Sequence, residues 1–135
     1  MISKKSERNG EMDSSERASH WIINSLAPVF DFLVKDLREK GYQASLSKQT
    51  DKALTLSFSK EGNRFEYTID CMIRPTPIPN WPESHVDLDC SCRVNNTKSP
   101  VQFRSINAKY DIEDISEKEI IEHFRTTFRR WLSHG

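Results

Sequence analysis

Two runs decide the fold: Arg64-Phe65-Glu66-Tyr67-Thr68-Ile69-Asp70-Cys71-Met72-Ile73 and His85-Val86-Asp87-Leu88-Asp89-Cys90-Ser91-Cys92-Arg93-Val94. Each alternates apolar and polar side chains with a period of two, the pattern of a strand with one buried and one wet face. As neighbours in sequence they pair as a β-hairpin. Parity then turns Cys71, Cys90 and Cys92 inward with Ile69, Leu88 and Val94. It sets Asp70 opposite Asp89 or Asp87 on the wet face.

The same alternation extends outward from the hairpin. Upstream, Tyr42, Ala44 and Leu46 alternate with Gln43, Ser45 and Ser47, and Leu54, Leu56 and Phe58 with Thr55, Ser57 and Ser59. Glu61-Gly62-Asn63 supplies a hairpin turn. Downstream, Asn95 to Pro100 reads as a link and Val101 to about Ile106 as a short fifth strand. Short connections between successive strands favour an antiparallel meander.

A helix is expected on each side of these strands. Asp13 with Glu16, and Ser116 with Glu119, have the spacing of capping boxes. The first helix runs to about Lys40, where Gly41 supplies a left-handed stop. Pro28 lies inside it and removes the amide bond to Asn24, so a kink or break is expected there. Its apolar arc is wide. Ile22, Leu26, Val29, Leu33 and Leu37 form a stripe, Phe30, Ile23, Val34 and Ala27 extend it on one side, and Ala18, Phe32 and Trp21 extend it on the other. A helix covering one sheet needs a narrower stripe, so the second helix or another subunit is expected against the remainder. In the last helix, Ile120, Phe124, Phe128 and Trp131 share a face. Early glutamates and late arginines complement the helix dipole.

Five half-greasy strands and two amphipathic helices define an α+β fold. The expected architecture is a two-layer sandwich: a five-stranded antiparallel meander sheet with the N- and C-terminal helices on one face, in the order α-β-β-β-β-β-α. Residues 1–13 read as a flexible tail and 14–135 as a single domain.

Composition narrows the functional classes. Hydrophobic residues make up 36% and charged residues 30% of 135 positions, a globular balance. Twenty basic and twenty acidic residues cancel, so no global charge draws the chain to nucleic acid. The start lacks the apolar run of an export signal, and no run is long enough to span a bilayer, so a cytoplasmic protein with free thiols is expected. No Gly-rich phosphate loop, His-Glu-x-x-His or nucleophile elbow is present.

Two candidate sites remain. The wet sheet face brings Asp70, Asp87 and Asp89 together, and like charges across a ladder favour a compensating cation such as Mg²⁺ or Ca²⁺ or a nearby arginine. The second candidate is a surface for a protein partner or a second copy in a homodimer. Trp21 and Phe32 on the wide helical arc, with Ile78 and Trp81 in the proline-rich loop Arg74 to Glu83, are its expected contacts. The function this pattern supports is a small soluble non-catalytic binding module that self-associates; the alternative is a metal- or small-ligand-binding protein using the acidic sheet face. No resident cofactor is expected.

Overall fold

The computed structural model describes residues 13–75, 84–101, 112 and 115–132; at 48, 49, 74, 75, 84 and 85 it describes the backbone alone. The sheet has the expected five antiparallel strands: β1 (Gln43–Thr50), β2 (Ala53–Lys60), β3 (Asn63–Pro75), β4 (Ser84–Val94) and β5 (Thr97–Val101). Their spatial order is their sequence order, a meander. The first helical run comprises α1 (Ser14–Trp21), a π-helical turn (Ile22–Leu26) and α2 (Ala27–Glu39). The second comprises α3 (Glu117–Thr127) and a short α4 (Arg129–Leu132). The result is an α+β sandwich with helices from the two ends of the chain and one antiparallel sheet.

Local chemistry sets the helix ends. Both capping boxes form: Asp13 Oδ1 accepts from the Glu16 amide at 2.8 Å, and Ser116 Oγ from the Glu119 amide at 3.1 Å. Glu16 and Glu119 each reach back to the amide of the capping residue. Gly41, at φ +94°, ends α2. The Tyr42 amide then donates to Leu37 O and the Gly41 amide to Arg38 O, both at 3.0 Å. That pair of bonds is the Schellman arrangement, which satisfies the last carbonyls.

A π-helical turn marks the departure from regular α-helix that was expected at Pro28. The chain widens by one residue just before it, and the Ala27 amide donates to Ile22 O, five residues back. Asn24 Nδ2 donates to His20 O at 3.0 Å, a further bond within the widened stretch. Proline then falls in the first turn of α2, where its missing amide is not needed. The last helix also departs from one straight rod, since it opens at Phe128. Thr127 Oγ1 donates to His123 O at 2.7 Å, and such back-bonding competes with the helical ladder and bends it.

The fifth strand differs in position. It starts at Thr97, directly after a tight Asn95-Asn96 turn with Asn95 at φ +57°. Pro100 therefore lies within β5, opposite Ser91, instead of ending a link before it. An edge strand tolerates proline because an outward-facing amide has no ladder partner to lose. The continuation expected to Ile106 lies outside the described residues, as do residues 1–12 of the expected tail.

The inward parity holds through the middle of the sheet, whereas Ile73, near the end of β3, is 40% exposed. Tyr67, Ile69, Phe65, Leu56 and Phe58 are buried with Leu26, Phe30, Leu33, Ile120, Phe124 and Phe128 in one core. Aromatic rings dominate it. Phe58 stacks on Phe65 at 4.8 Å between centroids, while Phe124 and Phe128 meet Phe58 edge-on at 5.6 and 5.1 Å. Such tilted and offset pairs add about 0.5–1.5 kcal/mol each beyond area burial. Helix α2 lies mainly over β1 and β2, α1 over β4 and β3, and α2 also touches α3.

Candidate functional site

With these helices on the inner side, the register defines the outer face row by row. One end row is Gln43, Ser59 and Arg64. Next come Ser45, Ser57, Glu66, Arg93 and Lys98, then Ser47, Thr55, Thr68, Ser91 and Pro100. The fourth row is Thr50, Ala53, Asp70 and Asp89, and beyond it Met72 pairs with Asp87. Along these rows, arginines and lysine with Glu66 come first, hydroxyls next and the aspartates after them, and the ladder then continues to Arg74 opposite His85.

This face is hollowed. A trough of about 880 Å³ lies at its basic end, lined by Gln43, Ser45, Ser57, Ser59, Arg64 and Arg93 among others. A smaller hollow of about 260 Å³ lies towards the carboxylates, lined by Thr68, Asp70, Ser91, Arg93 and Lys98 among others. Its floor includes Ala53, only 3% exposed although it faces outward. Beside Ala53, Thr55 is 2% exposed and its hydroxyl bonds that of Thr68 at 2.8 Å. Small side chains on β2 between larger neighbours make the hollow, and the threonine pair satisfies the polar atoms that it closes off.

The expected facing of Asp70 and Asp89 is present as a direct cross-strand pair. Burial, and then the Asp89 charge, raise the Asp70 carboxyl above its ordinary value. Asp87 is on the same face but opposite Met72, one row further on. Among the described residues no group of three or more His, Cys, Asp and Glu side chains is placed to hold a metal ion. The charged partners nearby are organised differently: Arg93 Nε meets Glu66 Oε1 at 3.3 Å across β3 and β4.

The expected partner contacts separate. Phe32 is 49% exposed, whereas Trp21 is 2% exposed and belongs to the core. A straight helical wheel misplaces Trp21 because the π-turn takes up an extra residue and rotates α1 relative to α2. The Trp21 indole N–H has no hydrogen-bond partner among the described residues. Ile23, assigned above to the apolar arc, is 55% exposed. Ile78 and Trp81 lie outside the described residues.

The inner face holds a polar link that strand parity did not disclose. Tyr67, fully buried on β3, bonds through its hydroxyl to His123 Nδ1 on α3. Cys90 Sγ lies 4.0 Å from the same nitrogen. Burial, and then Cys90 and Cys92, hold the Tyr67 phenol well above its ordinary value, so it remains a hydroxyl. Burial likewise pushes the Cys71 and Cys90 thiols up to about 12. At neutral pH neither is a thiolate, the form that acts as nucleophile or metal ligand.

No family model, curated protein or solved structure matches the chain.

Proposed function

We propose that this chain is a non-catalytic binding module that takes its ligand on the outer face of the sheet. One observation carries the reading: the wet face is hollowed into a polar trough, while the helices lie on the other face. Ligand sites are concave and place a few polar groups around a preformed surface. Here the surface is five hydrogen-bonded strands, so little ordering is needed on binding. Cys71 and Cys90 add no nucleophile, because burial holds both protonated in the core. The Tyr67–His123 pair is spent joining helix to sheet.

A small-fragment screen read by amide shifts tests the proposal. Saturable hits are expected to move Ser57, Thr68, Asp70 and Ser91 together. Hits confined to the helices, or none at millimolar fragment, would refute it.

A second reading, self-association through the first helical run, is favoured by a separate observation. Ile23 and Phe32 are both about half exposed although the core is otherwise well covered.

A further inference from the structure

We infer that the basic end of the outer face is a site for an oxyanion, a phosphate or carboxylate group carried by a small ligand. The inference rests on the reading of that face as the binding surface and goes further by naming what binds. The trough of about 880 Å³ is lined by Arg64 and Arg93 and by Ser45, Ser57 and Ser59, all of which the register places on the outer face. Glu66 is the single acid in that wall, and it is engaged by Arg93 Nε at 3.3 Å. Among the described residues no carboxylate pairs with Arg64, so its fork of donors is available. A guanidinium matches an oxyanion with two parallel hydrogen bonds, and serine hydroxyls rotate to donate to the remaining oxygens.

Arg64 is also held in place at its base. Its amide donates to Asn95 Oδ1 at 2.9 Å, and its carbonyl accepts from the Asn95 amide at 2.7 Å. Asn95 Nδ2 in turn donates to Asn63 Oδ1 at 3.2 Å. This corner fixes the Arg64 backbone beside the hydroxyl rows, and a fixed base lowers the ordering that binding requires. The acidic row does not oppose an anion here. Arg64 and Asp70 are roughly 20 Å apart along β3 at about 3.3 Å per residue, well beyond the screening length of about 8 Å in physiological salt.

The test is an amide and arginine-Nε titration of the whole chain with inorganic phosphate and, separately, with acetate. Saturable shifts centred on Ser57, Ser59 and Arg64 are expected, weakened about tenfold or more in Arg64→Gln, the loss of one charge-assisted contact. Exposed Lys35→Gln should leave them unchanged. Saturation by phosphate alone assigns phosphate esters, and saturation by acetate as well assigns carboxylates too; either supports the site. Non-saturating shifts, or binding equal in Arg64→Gln, overturn it. Neutral fragments run in parallel separate the two levels. If they occupy the outer face while neither anion saturates, the oxyanion assignment falls and the binding face stands; if nothing occupies that face, both fall.

Discussion

The link between Tyr67 and His123 joins residues far apart in sequence and gives unequal penalties when either partner is removed. His123 is only half-buried, so in Tyr67→Phe its ring nitrogen can turn to water, and the loss should be about 0.5–1.5 kcal/mol. In His123→Ala the fully buried phenol is left, among the described residues, with the Cys90 thiol as a weak partner, and the loss should be about 1–3 kcal/mol. Urea unfolding of the two variants checks the order. Asp70 makes a pH prediction. Its carboxyl is raised in the folded chain, so the native state binds that proton more tightly than the unfolded state. Its contribution to stability therefore falls as pH rises from the ordinary carboxylate value through the raised one. Asp70→Asn should stabilise the protein at pH 7 by a few tenths to about 1 kcal/mol, the scale of a like-charge pair across a ladder. The gain should vanish in acid, where both states hold the proton. Among the thiols, half-buried Cys92 should react with iodoacetamide first, and Cys71 and Cys90 only as the chain unfolds; peptide mass spectrometry resolves the order.

At the scale of elements, the two sheet edges are managed by different means. Pro100 sits within β5 and offers no amide to a further strand, while at β1 the Arg38 guanidinium donates from α2 to Ala44 O through Nε at 3.0 Å and Nη2 at 2.8 Å. That carbonyl would otherwise be available to pair with another strand. Arg38→Ala should lower stability by about 1 kcal/mol and release the edge, giving concentration-dependent association in sedimentation velocity beyond any shown by the parent at the same concentration. An unchanged boundary would mean that the guanidinium only packs. Much at this scale was legible because period-two alternation is imposed residue by residue: it placed three cysteines inward and narrowed the residue facing Asp70 to Asp89 or Asp87, of which the register takes Asp89. Side chain–backbone signals three residues apart also sufficed for both helix starts. What was not legible depends on tertiary neighbours. Pro28 demands only that one amide bond be absent, a demand met equally by a kink, a break or the widened turn that occurs. Pro100 reads as a strand breaker until β5 is known to be an edge. The Tyr67–His123 bond requires the docking of α3, which no local pattern encodes.

For the molecule as a whole, the sandwich was readable because greasy strands and amphipathic helices have few ways to cover one another, but the hollow was not. Alternation marks which side chains face out; it does not tell that Ala53 and Thr55 sink below Asp70 and Thr68. The wide helical arc posed the complementary problem, since more apolar surface was counted than one sheet covers. Part of the excess is absorbed internally: the π-turn carries Trp21 into the core, and α3 meets α2. What remains outside includes Ile23 and Phe32. If that remainder joins two copies, light scattering of the parent should show a mass rising with concentration towards twice that of one chain. Phe32→Glu should then return it to one chain while unfolding at nearly the same denaturant concentration, because a half-exposed side chain contributes little to the monomer's core. Arg38→Ala provides the contrast, because association through the β1 edge should survive Phe32→Glu and association through the helix should not. A mass that stays at one chain over the whole range would dismiss the helical contact and leave the trough on the opposite face as the surface to pursue.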